Sequence, residues 1–414
     1  MPFGTTVYAL IHQDEALVNQ TMESLRKSPF NKVRLCVFPK SYQYNQNEPP
    51  FYAFEKRKDG SWDPSRPCED FWNHLDRRIE ELASIGIEAD LILFHPYDRW
   101  GFSSMPQKDN LAYLDYAVRR LAAHPNLWWS LANEYDLCLA HKSLADWEEI
   151  EGFVAKSDPF RHMLSCHNCF QPWDYSRPTV THVSIQTKRL ADVPSLRCRY
   201  GKPVVVDECC YEGNLPEFWG SISGQEMTAR FWQVFVDGGY CTHGETFLDE
   251  HDVVWWAKGG ILKGESPSRI AFLREIAESL PGPVELMEGN WTRMIKASQE
   301  ELERMEDDPA FPKVFVEALK LMPEIDRRIH AALEHEPAGC VGDEVFLWYY
   351  GARPVARARL ALPEAADYRV TLIDTWGMTR ELLPGTFRGA TEIAMPGRPW
   401  MAVLAEKHEV GENR

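Results

Sequence analysis

The 414-residue chain is poor in positive charge. Its 45 lysines and arginines stand against 62 aspartates and glutamates, a formal net charge of −17. Such a balance repels phosphate backbones and anionic lipid, so neither nucleic acid nor a membrane is an expected partner. Long hydrophobic runs are missing too, and none approaches the roughly 20 residues of a membrane span. The start, Met1-Pro-Phe-Gly-Thr-Thr6, has no basic segment leading into an apolar one, so no secretory signal is read and a cytoplasmic location is expected. No glycine-rich phosphate loop follows an early strand, which counts against a doubly wound nucleotide-binding sheet. No His-x-His pair occurs, and Cys166-His-Asn-Cys169 with His162 lacks a second Cys-x-x-Cys. Neither a metal nor an organic cofactor is therefore expected. The ten cysteines are scattered through expected strands, as in a reducing compartment, and are not spaced as a disulfide framework.

What is present is a large apolar complement: 44% hydrophobic residues, with 15 tryptophans, is enough for an ample core. Up to about residue 280, β-rich runs alternate with amphipathic stretches. Strands are expected at 5–11, 32–38, 89–94, 127–132, 163–167, 182–186, 203–207 and 240–247. Helices are expected at 15–27, 71–85, 111–122, 144–157, 194–200, 226–236 and 269–280, with the helix after the fifth strand missing. Eight such units predict an α/β fold, a (β/α)₈ TIM barrel over residues 1–283. Residues 284–337 read as a charged helical connecting segment, with a spur at 288–335 suited to a homo-oligomer. Residues 338–414 read as a small antiparallel β-sandwich, with strands at 345–350, 356–362, 368–374, 391–395 and 401–404.

Two stretches stand out. Leu127-Trp-Trp-Ser-Leu-Ala-Asn-Glu-Tyr-Asp136 is apolar until it ends in Asn133 and Glu134. Lys202-Pro-Val-Val-Val-Asp-Glu-Cys-Cys-Tyr-Glu-Gly213 repeats the pattern, ending in Asp207 and Glu208. In a parallel barrel all strand C-termini share one face, so strands four and seven deliver Glu134 and Glu208 to one cleft. Two carboxylates across a sugar-sized gap are what glycosidic cleavage needs. Glu212 is a spare carboxylate on the same loop, and the vicinal pair Cys209-Cys210 follows the second acid directly.

A strand ending in Asn-Glu and a later one ending in Glu resembles the clan A glycoside hydrolases, which are retaining TIM-barrel enzymes. Phe3-Gly-Thr-Thr-Val-Tyr8, Ser28-Pro-Phe-Asn-Lys-Val-Arg34, Phe94-His-Pro-Tyr-Asp-Arg-Trp-Gly101 and Trp128–Tyr135 are similar to a bacterial group within that clan. Val370-Thr-Leu-Ile-Asp-Thr-Trp-Gly-Met378 is similar to the same group's C-terminal β-domain. The resemblance implies Glu134 as acid/base, Glu208 as nucleophile and Asn133 as donor to a sugar hydroxyl. It implies Arg34 beneath the nucleophile, its charge holding Glu208 ionised while Glu134 is protonated. The carboxyl groups are expected about 5–5.5 Å apart.

His95, ending the third strand, Gln186, ending the sixth, and His243 and Glu245, late in the eighth, are expected on the catalytic face. Each could serve as a sugar contact or as a supporting partner. Trp255-Trp256 suits a stacking platform for a sugar face; sequence does not say which ring it is. Trp128-Trp129 lie inside the fourth strand and are expected in the core. The expected activity is retaining, exo-acting hydrolysis of a small glycoside or oligosaccharide, β-glycosidase-like, without cofactor. The alternatives are a non-catalytic carbohydrate-binding protein on a degenerate barrel, or an endo-acting glycanase.

Overall fold

The computed structural model describes residues 1–251, 253–287 and 290–408. Eight short strands carry the first part of the chain: β1 (Gly4–Thr6), β2 (Lys32–Cys36), β3 (Glu88–Phe94), β4 (Leu127–Ala132), β5 (Met163–Ser165), β6 (Val183–Gln186), β7 (Val204–Glu208) and β8 (Tyr240–His243). They form one sheet in the order β5-β4-β3-β2-β1-β8-β7-β6, every neighbouring pair parallel. The end strands β5 and β6 are linked just before β6: Thr181 N–H donates to the Leu164 carbonyl at 2.9 Å, and the Ser165 hydroxyl donates to the His182 carbonyl at 2.7 Å. The sheet thus closes as the barrel that the strand count predicts.

The helices follow the apolar spacing. Glu15–Lys27 begins after Asp14, whose side chain accepts the Leu17 N–H, and it buries Val18, Met22 and Leu25. Glu69–Ser84 buries Phe71, Trp72, Leu75, Ile79 and Leu82 along one stripe. Leu144–Ser157 starts with a reciprocal cap between Ser143 and Asp146. No helix lies between β5 and β6, as the two prolines of that stretch foretell. Sequence periodicity did not find the hairpin Phe54–Lys56 with Trp62–Pro67, hidden in a loop rich in polar residues and proline. The first strand is shorter than expected, since its chain leaves the sheet after Thr6. Tyr8 N–H then bonds the Trp256 carbonyl at 3.0 Å, which carries Tyr8 beyond the strand ends.

A buried ionic layer fills the barrel interior. Lys32 Nζ lies 2.7 Å from both Asp90 and Asp207, and Arg34 Nη1 lies 3.0 Å from the same two carboxylates. The Ser184 and Thr242 hydroxyls donate to Asp207 at 2.6 and 2.8 Å. Each charge thus has a partner, without which burial at this depth is strongly unfavourable.

Residue contacts divide the chain into two compact units. Met1–Lys188, Leu196–Thr228 and Tyr240–Arg274 make the first; Arg189–Ser195, Ala229–Gly239 and the chain from Glu275 make the second. Within the second unit, helices Gln299–Met305, Lys313–Leu321 and Glu324–Leu333 share a small core around Leu302, Phe311, Val316 and Ala331. The sandwich pairs a six-stranded antiparallel sheet with a two-stranded one, Arg357–Ala361 and Ala390–Ala394. Phe346, Val370, Leu372 and Val403 from one sheet meet Leu360 and Ile393 from the other. The strands Ala338–Val341 and Thr379–Leu382 went unread in the sequence; the second is exposed throughout and carries no alternation. Among the described residues no helix is long and apolar enough to cross a membrane.

Candidate active site

Backbone irregularities at two strand ends set the chemistry. Along β7 the side chain of Asp207 points into the ionic layer, so simple alternation would turn Glu208 away from the interior. The β6–β7 register slips here: Ile185 pairs with Val206, but Gln186 pairs with Glu208. The extra residue is a bulge that re-aims Glu208 into the mouth of the barrel. At the end of β4, Glu134 adopts a left-handed backbone with φ of 54°, a costly conformation for a residue with a side chain.

The two carboxyl groups meet at Gln186. With the amide turned to satisfy its hydrogen bonds, its nitrogen donates to Glu134 Oε1 at 3.3 Å and to Glu208 Oε2 at 3.1 Å. Two of their oxygens therefore lie no farther apart than those distances laid end to end. Tyr8 Oη donates to Glu208 Oε1, and Tyr97 Oη donates to Glu134 Oε2. His167 lies beside both: its Nδ1 accepts the Glu134 backbone N–H at 3.4 Å, and its Nε2, 3.9 Å from Glu208 Oε1, makes no hydrogen bond among the described residues. Burial, and next Arg34, holds the His167 imidazole well below its usual range, so the ring is neutral.

Burial and then the Glu134 carboxylate push the Glu208 carboxyl up to about 7, against Lys40, the Tyr8 hydroxyl and Arg34. This corrects the expectation that Arg34 keeps Glu208 ionised. Arg34 is fully buried and spends Nη1 on Asp90 and Asp207, one layer down. The cation that opposes the rise most is Lys40, which carried no motif in the sequence.

The other expected residues divide in two. Asn133 is fully buried with neither amide atom partnered, and His95 gives Nε2 to the Phe38 carbonyl at 3.0 Å while its Nδ1 has no partner. Burial, and next Lys40, lowers the His95 imidazole to about 4. Of the two tryptophans, Trp256 sits at the mouth, edge-on to Tyr8 with centroids 5.7 Å apart and its indole N–H unpartnered. Trp255 is turned away, donating its indole N–H to Thr5 Oγ1 at 2.9 Å in the core.

His243 is also not brought to the acids. It stacks on Phe30 with centroids 4.6 Å apart and shares a hydrogen bond of 3.1 Å with the same Thr5 hydroxyl. Strand alternation explains this: Thr242 faces the interior, so His243 faces the helices. Glu245 accepts the Lys263 N–H at 2.7 Å, and Glu212 accepts from the Glu265 and Ser266 N–H groups and the Ser266 hydroxyl. Among the described residues, Glu212, His243 and Glu245 have ligand atoms within 4.8 Å of one another and are a group that could hold a metal. The present bonds of Glu212 and Glu245 fasten the start of the helix Ser266–Ser279 and the residues just before it. His162, near the lone Cys-x-x-Cys, pairs with Asp158 at 3.0 Å.

Tyr8, Tyr97, His167 and Lys40 went unassigned in the sequence. Tyr8 and Tyr97 did lie in the motifs that carried the resemblance, and His167 sat in a motif weighed only for metal. A cavity of about 450 Å³ lies elsewhere, lined by Leu127, Trp128, Phe160 and Met163, at strand beginnings. That end of a barrel serves stability, not catalysis.

Residues 3–298 match the apiosidase-like catalytic domain, and residues 335–405 match a domain of unknown function, DUF5605. The structure is similar to that of a presumed glycoside hydrolase from Bacteroides vulgatus, at 33% identity and a TM-score of 0.82, covering 98% of this chain and 78% of that one. A glycoside hydrolase family 5 protein from the same organism shares the fold, at 13% identity and a TM-score of 0.66, covering 98% and 89%. A family 30 subfamily 8 xylanase from Clostridium acetobutylicum is more distant, at 10% identity and a TM-score of 0.52, covering 99% and 96%. No curated protein matches the chain. With a barrel of this build and a family match over most of its length, the chain belongs to the apiosidase-like glycoside hydrolases.

Proposed function

We propose that the protein is a retaining, exo-acting glycosidase of small glycosides, with Glu208 as nucleophile and Glu134 as acid/base. The observation that carries this is one amide nitrogen, on Gln186, within hydrogen-bonding reach of both carboxyl groups. The shared amide bounds the gap between those two oxygens at about 6.4 Å, just under the roughly 6.5–9.5 Å spacing that an inverting pair leaves for water, and so supports double displacement. Glu208 attacks the anomeric carbon while Glu134 protonates the departing oxygen, and Glu134 then takes a proton from the water that releases the sugar. A pair that retains one proton up to about pH 7 is suited to this cycle.

The remaining polar groups support sugar recognition. The unpartnered Asn133 amide and His95 Nδ1 are buried groups of the kind that substrate hydroxyls satisfy. Trp256, with Tyr42, Tyr211 and Trp219 around it, offers an apolar wall. The acids themselves are only 6% and 9% exposed, a depth that suits a chain end better than the middle of a polymer. Clan chemistry allows β-glucosides, β-galactosides, β-xylosides, α-L-arabinofuranosides or apiosides, and the family match points first to apiosides.

A panel of nitrophenyl glycosides tests the reading. At least one should be turned over by the wild type, and Glu208→Ala should lose that activity and regain it with azide, giving a glycosyl azide of inverted configuration. Unrescued Glu208→Ala activity close to wild type would overturn the assignment.

A further inference from the structure

Lys40 follows β2 by four residues and is 2% exposed, yet among the described residues no carboxylate pairs with its ammonium. Its surroundings are aromatic. Nζ stands 3.5 Å from the centroid of the Tyr8 ring, 4.3 Å from Tyr97, 5.0 Å from Tyr42 and 5.6 Å from Trp256. The two nearest rings belong to the tyrosines whose hydroxyls donate to Glu208 and Glu134, one to each acid. A phenol that donates a hydrogen bond to a carboxylate gains electron density, and its face becomes a better seat for a cation. The backbone keeps the lysine there: the Ser41 N–H bonds the Tyr97 carbonyl at 2.8 Å, and Asn45 Nδ2 donates to the Lys40 carbonyl at 2.6 Å.

We propose that Lys40 is a positioning residue of the reaction, a caged cation that offsets the charge of the Glu134–Glu208 pair and sets the pH range in which that pair holds a single proton. The catalytic part of this inference rests on the glycosidase reading above. The groups facing the ammonium from neighbouring elements are the two acids, the four rings, Arg34, Cys36, His95 and His167. Of the other cations, Arg34 spends Nη1 on Asp90 and Asp207 and opposes the rise of Glu208 less than Lys40 does, and both histidines are held neutral by burial. Lys40 is thus the main cation opposing the charge at the mouth of the barrel. Burial draws the ammonium below its usual range, while Cys36, Glu134 and Glu208 favour its charged form. The aromatic cage adds attraction without supplying a competing anion.

Removing the cation destabilises both carboxylate anions, so protons are held to higher pH. Lys40→Met keeps the stem and loses the charge; Lys40→Arg keeps the charge; Lys40→Gln is a second neutral form should the methionine variant fold poorly. On whichever nitrophenyl glycoside the wild type cleaves, the neutral variants should move both limbs of the pH profile of kcat/KM upward by about one unit. The arginine variant should stay near wild type. The same upward shift should appear in the ¹³C titration of the two carboxyl carbons, assigned by their loss in Glu134→Gln and Glu208→Gln. Limbs and titration unmoved in a folded neutral variant would overturn the inference. A wild type inactive on every glycoside would instead count against the glycosidase reading, and the ¹³C titration would still decide the role of Lys40.

Discussion

The floor and the mouth of the barrel hold acids of opposite fate, and two of them are neighbours in sequence. Burial alone would raise the carboxyl of Asp207, but Arg34 and Lys32 beside it hold it well below the usual carboxylate range. Glu208, one residue on, meets another carboxylate and is pushed up to about 7. Chemical type and burial are nearly the same, so the difference lies in the partners. A buried acid with two cations is a fixed part of the scaffold; a buried acid facing a second acid is poised to exchange a proton.

Breaking the floor should have the largest effect. Asp207→Asn leaves Lys32 and Arg34 with one carboxylate between them, and should cost about 3–5 kcal/mol in denaturant unfolding. A loss under about 1 kcal/mol would mean that Asp90 alone can balance both cations.

At the mouth the sign should reverse. Glu208 rises from 4.5 to about 7 in the folded chain, so the folded state holds that proton more tightly than the unfolded state does. Wild-type stability therefore falls as pH rises through that window, and the loss remains at higher pH. Glu208→Gln escapes it and should be more stable than wild type by about 3 kcal/mol at pH 8, with the gap closing by pH 4. Melting curves at the two pH values check this, and a pH-independent gap would remove the paired-acid explanation.

The smallest effect tests the link between the two acids. Gln186→Ala removes the N–H shared by both carboxyl groups, and kcat/KM should drop about tenfold, about 1.4 kcal/mol, with little change in melting temperature. An unchanged kcat/KM would place the amide outside the working site.

Much of the barrel was legible because its signals are local. The apolar run Leu127–Ala132 could be read directly, and so could the helix Glu15–Lys27, with Asp14 to cap it and Val18, Met22 and Leu25 on one side. The pairing of Glu134 with Glu208 was legible too, since parallel strands in a barrel bring their C-termini to one face. His243 was expected on the catalytic face, and the choice between Trp255 and Trp256 stayed open, because position along the chain does not say which way a side chain near a strand end turns. Lys40 was missed because a lone lysine after a strand looks like any surface cation until Tyr8 and Tyr97 close around it.

The sequence by itself thus determined the alternation of strands and helices and which two strands end in acids, because these depend on periodicity and chain order. Tertiary structure alone decided how those acids behave. A one-residue bulge turned Glu208 inward, a left-handed residue turned Glu134, and contacts from β2, β3, β5 and β6 supplied Lys40, Tyr97, His167 and Gln186. Proton affinity is set by the charges and dipoles nearest in space, and only the folded barrel brings those together.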